Sequence, residues 1–115
     1  MTDRELLELA AKAAGIEVTR SRLEDPLNRD MLVENSVRNG GQRLGPWNPL
    51  TDDGDALRLA VKLGLTIQHL TANEEVVVSS YSGSSEAYEF YLSDPYAATR
   101  RAIVRAAADI GRNMP

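Results

Sequence analysis

Apolar residues recur at helical spacing in three stretches of the chain and alternate with polar residues in shorter stretches between them. The first stretch holds Leu6, Leu9, Ala10, Ala13 and Ala14. Thr2 and Glu5 precede it with capping-box spacing, which lets each side chain satisfy a backbone N–H that a helix start leaves unpaired. Gly15 predicts the stop, because glycine enters the left-handed conformation without steric cost. A second helix follows Trp47-Asn48-Pro49-Leu50. Thr51 or Asp52 suits its cap, and Asp52, Asp53 and Asp55 place negative charge on its positive end. Ala56, Leu59, Ala60 and Leu63 form its stripe, Leu57 and Val61 widen it, and Gly64 ends it. The third helix starts at Asp94-Pro95, a capping residue followed by one whose missing N–H would have been unpaired anyway. Its stripe is Ala98, Ala102, Ile103, Ala106, Ala107 and Ile110, and Gly111 is expected to close it.

Between the second and third helices the period changes to two. Leu65, Ile67 and His69 face one way, and Thr66, Gln68 and Leu70 the other. Ala72-Asn73-Glu74 reads as a turn, and Val76-Val77-Val78 as a β-branched strand. Ser79 to Ser85 is polar and reads as a loop. Ala87 to Leu92 predicts a third strand, with Tyr88, Phe90 and Leu92 on one face and Glu89 and Tyr91 opposite. Residues 16–46 carry a weaker pattern. Ile16 to Arg20 and Met31 to Val37 suggest one or two irregular strands, Asn39-Gly40-Gly41 a turn, and Gly45-Pro46 a break. The segment is expected to be a weakly structured or variable strand and loop region. The whole predicts an α+β fold in one domain over residues 1–115: about three helices packed against a small antiparallel β-sheet.

Composition narrows the function classes. With no cysteine, disulfides, thiolate nucleophiles and Cys-based zinc sites are excluded. Thirteen Lys and Arg against seventeen Asp and Glu give a net charge of −4, which does not favour nucleic acid. No secretory signal is visible behind Met1-Thr2-Asp3-Arg4-Glu5, and no run approaches the roughly 20 apolar residues that span a bilayer. A cytoplasmic, non-membrane protein is expected.

Two segments carry a likeness beyond pattern. Trp47-Asn48-Pro49-Leu50-Thr51-Asp52-Asp53-Gly54-Asp55-Ala56-Leu57-Arg58-Leu59-Ala60-Val61 and Ala97-Ala98-Thr99-Arg100-Arg101-Ala102-Ile103-Val104-Arg105-Ala106-Ala107 together resemble the phage ABA sandwich domain family. These are small proteins of tailed bacteriophages, named for a sheet between helical layers. The two segments cover about a quarter of the chain, and Ile16 to Gly45 contributes nothing to the likeness. What the resemblance implies is an α-β-α sandwich-like fold and a phage origin, hence the cytoplasm of a bacterial host. It implies no reaction and no catalytic residues.

Several groups of residues invite a chemical reading. Asp52, Asp53 and Asp55 lack the alternation and distal Glu of a calcium loop, and helix capping explains them better, so no metal is expected. His69, the lone histidine, shows no legible partner as a general base. The serines around Gly83 lack the lysine and following helix of a phosphate loop. Arg100, Arg101 and Arg105 weigh more, because Arg101 and Arg105 are one turn apart and guanidinium pairs bind phosphate bidentately. Arg38 and Arg43 are candidates to join them. The plainer alternative is a solvated face of ion pairs. Trp47 and Tyr96 are candidate stacking residues, although Trp47 fits better as packing, with its indole N–H bonded to backbone.

Taken with the phage origin that the resemblance implies, these residues point to a non-enzymatic phage accessory protein that binds a host-derived ligand. One form is a sponge for a phosphorylated or nucleotide signal of host defence, held by Arg100, Arg101, Arg105, Trp47, Tyr96, Arg38 and Arg43. No cofactor is expected. The alternatives are an interaction module that docks on a host protein, and a small hydrolase or nuclease. Open strand edges favour a homo-oligomer.

Overall fold

A computed structural model describes residues 1–20, 32–38 and 41–115, with side chains from 1–18 and 47–115. Helix α1, Asp3–Ala14, begins where the Thr2 hydroxyl accepts the Glu5 N–H at 3.1 Å and ends at Gly15, whose φ is 68°. The Glu5 carboxylate makes no return bond among the described residues, so the capping box is half made. Helix α2, Asp53–Leu63, is capped by Asp52, which accepts the Asp55 N–H at 2.8 Å. Helix α3, Pro95–Arg112, is capped by Asp94, which accepts from Tyr96 and Ala97.

The strands form two antiparallel sheets of three. One holds β1 (Val18–Arg20), β2 (Leu32–Arg38) and β3 (Gly41–Pro46) in that order. Where the sequence suggests one or two irregular strands, the backbone thus forms three. Gly45 and Pro46 lie at the end of β3 rather than in a break, and Pro46 is tolerated because β3 is an edge strand. The turn expected at Asn39-Gly40 lies outside the described residues. The other sheet runs β4 (Thr66–Leu70), β5 (Glu75–Ser79) and β6 (Glu86–Phe90), with a short 3₁₀ turn, Thr71–Asn73, joining the first two.

Register sorts the second sheet into two faces. Ile67 opposes Val78 and Ala87, and His69 opposes Val76 and Glu89, so these share the inner face. Val76 and Val78 are fully buried there against α3. Gln68 opposes Val77 and Tyr88, and Leu70 opposes Glu75 and Phe90, on the outer face. Here Tyr88 and Phe90, the expected apolar side of the last strand, are more than half exposed (56% and 57%). The fold is therefore α+β, with three helices and an antiparallel sheet, as the pattern predicts. Among the described residues, no helix lies across the outer face: α3 packs on the inner face, and α1 and α2 pack on α3.

That central position explains α3's composition. Ala98, Ala102, Ile103, Val104, Ala106, Ala107 and Ala108 are all buried, a wider band than one stripe, because the helix is covered on two sides. Leu7 and Ala11, outside the stripe read for α1, are buried too, while Leu57 and Val61 of α2 are exposed. Trp47 is buried, with no acceptor for its indole N–H among the described residues, contrary to the expected backbone bond. Asp55 is also buried. Its carboxylate accepts the Asn48 N–H at 3.0 Å and pairs with Arg58 at 2.6 Å, which fixes the loop ahead of α2.

Gly111 does not close α3; the cap is Asn113, and Gly111 lies inside the helix and is buried. A Cβ there would overlap the Leu9 carbonyl oxygen and lie 2.8 Å from the Leu9 carbonyl carbon. Gly111→Ala should therefore destabilise the protein although alanine is the better helix former. Overpacking costs about 1–3 kcal/mol against a propensity gain of about 1 kcal/mol. Chemical denaturation should show a net loss with unchanged m-value; equal or higher stability would mean that the two helices have room to spare.

Candidate functional site

A cleft of about 380 Å³ opens where α2, α3 and β4 meet at one end of the inner sheet face. Each wall follows from local structure. The Asp52 cap fixes the first turn of α2, which presents Asp53, Ala56 and Leu57. The Asp94 cap does the same for α3, which presents Tyr96, Thr99, Arg100 and Ile103. Period-two alternation in β4 turns Ile67 and His69 inward to form the floor. Tyr91, just past β6, closes the remaining side, anchored by its N–H donating to the Glu74 carbonyl at 2.7 Å. The lining is mainly apolar and aromatic, with a few fixed polar groups, which is the usual make-up of a small-molecule site.

Two polar pairs mark the cleft. His69 Nδ1 lies 2.6 Å from the Tyr91 hydroxyl, with the rings tilted at 52° and 5.9 Å between centroids. The partners are 22 residues apart and meet because the β4–β5–β6 register sets His69 and the end of β6 side by side. Opposite them, Arg100 donates from Nε to the Leu50 carbonyl at 2.8 Å and from Nη1 to Asp53 at 2.6 Å. Its side chain is only 18% exposed. With Nε and Nη1 fixed, the plane of the guanidinium is set, while Nη2 makes no bond among the described residues. The Thr99 hydroxyl donates to the Pro95 carbonyl at 2.7 Å and is thus engaged within its own helix.

Of the described residues read from the sequence as ligand-binding, Arg100 and Tyr96 line this cleft; Asp53 and His69, weighed there as a metal ligand and a general base and set aside, line it too. Tyr96 is 70% exposed and free to lie over a bound ring. Arg101 and Arg105 do converge, as their spacing suggests, but on a carboxylate of the protein itself. Glu89 lies 3.5 Å from Arg101 and 3.0 Å from Arg105. Arg101 further pairs with Asp3 at 3.2 Å, and Arg105 donates to the Tyr88 carbonyl at 3.0 Å. The anion position between these two guanidiniums is filled by Glu89. Trp47 lies in the core, away from the cleft. Arg38 and Arg43 sit on β2 and β3, and the part their side chains play falls outside the described residues.

The remaining candidates have internal partners as well. Asp52 caps α2, Asp53 pairs with Arg100 and Asp55 with Arg58, and no three metal-ligating side chains converge among the described residues. In the serine loop, Ser80 N–H donates to the Ser85 carbonyl, Ser85 N–H to the Ser80 hydroxyl and Gly83 N–H to the Ser80 carbonyl, so those amides are not left for an anion. Sequence reasoning passed over His69 and Tyr91 as a pair. The alternation of both strands is readable, but it sets Tyr91 with Glu89 opposite the apolar side of the last strand, and the register that brings Tyr91 to His69 exists only in the fold.

The engagement of Arg100 has a measurable consequence. Arg100→Lys keeps the charge but cannot hold the Leu50 carbonyl and Asp53 at once. Chemical denaturation should show a loss of about 1–2 kcal/mol, the cost of a part-buried acceptor left without its donor. Unchanged stability would mean that Arg100 is not a structural clamp. Comparison with known proteins adds no relative: no protein-family model, no curated protein and no solved structure matches the chain.

Proposed function

We propose that this protein is a non-catalytic binder of a small ring-bearing molecule, seated in the cleft between α2, α3 and β4. The observation that carries the reading is the His69–Tyr91 pair at 2.6 Å on the edge of a mainly apolar cavity of about 380 Å³. Apolar walls supply binding energy, and a few fixed polar groups supply orientation. Tyr96 offers a face for stacking, and Arg100 Nη2 offers a pre-oriented donor. Among the described residues no activated nucleophile accompanies His69: its partner is a phenol, and the Thr99 hydroxyl is already donating to a carbonyl. Binding therefore accounts for the site better than hydrolysis does.

Nucleosides and nucleotides are the first class to try. A base suits Tyr96 and the apolar walls, and a single phosphate would compete with Asp53 for Arg100. The resemblance to phage ABA sandwich proteins supplies the setting for this reading: a phage accessory protein in the host cytoplasm that sequesters a host signal. Titration calorimetry and thermal shift against linear and cyclic nucleotides and their nucleosides should find a ligand that raises the melting temperature. Ligand at about 100 times Kd stabilises by about 2.7 kcal/mol. The ligand should be recovered chemically unchanged, and Tyr91→Phe and Tyr96→Ala should each weaken it several-fold. A broad panel without a binder would remove the nucleotide reading, and recovered product in place of ligand would remove the non-catalytic one.

A further inference from the structure

The outer face of the β4–β5–β6 sheet plays no part in the cleft. Its centre is apolar: Leu70, Val77, Tyr88 and Phe90 share it by register, and the Tyr88 and Phe90 rings meet edge to face at 6.4 Å. Glu86 sits on the first outward row and Glu75 on the third, on either side of the row that holds Val77 and Tyr88. Four residues of extended chain separate those rows, about 13 Å at roughly 3.3 Å per residue. Neither carboxylate has an ion-pair partner among the described residues, and no outward position of the three strands is Lys or Arg. Arg4, Arg58, Arg100, Arg101, Arg105 and Arg112 each pair with a carboxylate other than Glu75 or Glu86, although Arg105 and Arg112 border a cavity that Glu86 also lines.

We propose that this face docks a basic amphipathic helix of a partner protein, with apolar side chains laid over Val77, Tyr88 and Phe90 and two cationic side chains flanking them. Charge complementarity selects this occupant. A second copy of this chain would bring the same apolar centre but also the same two carboxylates, and an isologous contact would set acidic rows against each other with no cation between. A helix carries lysines eight residues apart at about 12 Å along its axis, close to the spacing of the acidic rows. A sheet accepts a helix on either face, and here one face already has one. Addition of a strand to β6 is less favoured, because Arg105 already donates to the Tyr88 carbonyl on that edge.

The test uses the full chain, labelled with ¹⁵N, and two synthetic helical peptides of 18 residues. Both carry a leucine stripe; one bears lysines eight residues apart beside it, and its twin bears glutamates there. The lysine peptide should shift the amides of Val77, Tyr88 and Phe90, and added salt should weaken it. Its Kd should rise about tenfold or more in Tyr88→Ala or Phe90→Ala, the loss expected of a central aromatic anchor. Glu75→Gln with Glu86→Gln should lower both its affinity and its salt dependence. The amide spectrum of each variant verifies the fold. The proposal is overturned by no binding of the lysine peptide, by equal binding of the glutamate twin, or by shifts confined to other surfaces. A concentration-dependent dimer abolished by Tyr88→Ala, or cross-links showing another part of this chain seated on the face, would overturn it too. None of these readouts involves a nucleotide, so failure of the cleft to bind one leaves this result independent.

Discussion

The close approach of α1 and α3 is the constraint on which the rest of the structure depends. At Gly111 the two backbones are near enough that even a methyl group would overlap the Leu9 carbonyl. The buried residues of the two packed helices are largely small as well, among them Ala10, Ala11, Ala14, Ala106 and Ala107. Little side-chain volume separates the helices there, so dispersion between closely spaced backbone and methyl groups replaces interdigitated leucines. Such an interface tolerates no enlargement, and it makes α3 the central element, with α1 on one side and the sheet on the other.

A small-residue centre pushes large side chains to the periphery. The inner sheet face meets α3 through Val76, Val78 and Ala87, and the aromatic residues of the C-terminal half lie outside that layer. Tyr91 and Tyr96 border the cleft, and Tyr88 and Phe90 stand on the outer face. The thin core thus generates both surfaces on which a binding function can be argued. Packing also settles the arginines. Arg100 ties α3 to the loop before α2, and Arg101 and Arg105 tie it to β6 and the start of α1 through Glu89 and Asp3. Partly exposed pairs of this kind contribute little stability each, but they hold elements in register and, among the described residues, leave few arginines for an external anion.

What was legible in the sequence was local. Helix starts and ends followed from Thr2, Gly15, Asp52, Gly64 and Asp94, whose roles depend on neighbours within four residues. The strand alternation of residues 65–70 was equally local. Misreadings began where a distant element decided the outcome. Gly111 has the position of a helix terminator, but its meaning comes from Leu9 on another helix. Leu57 and Val61 look like core and are exposed, because no described element packs on that side of α2, while Leu7 and Val104 are buried because one does. The cleft obeys the same rule. Arg100 and Tyr96 could be named from their residue types, but Asp53, 47 positions from Arg100, and the His69–Tyr91 contact exist only through the fold.

Charge distribution follows from the same geometry and gives the net value its meaning. A total of −4 spread evenly would say only that the protein avoids polyanions. Here the helical side is close to internally neutralised, with Arg4 on Glu8, Arg58 on Asp55, Arg100 on Asp53, the Arg101–Arg105 pair on Glu89 and Asp3, and Arg112 on Asp109. The outward positions of β4, β5 and β6 include Glu75 and Glu86 and no Lys or Arg. Among the described residues, the charges around the cleft are thus nearly balanced, while the outward positions of the second sheet are acidic and aromatic. The cleft and the outer surface lie on opposite faces of the β4–β5–β6 sheet, and it is the sheet that separates them and gives each a different chemistry.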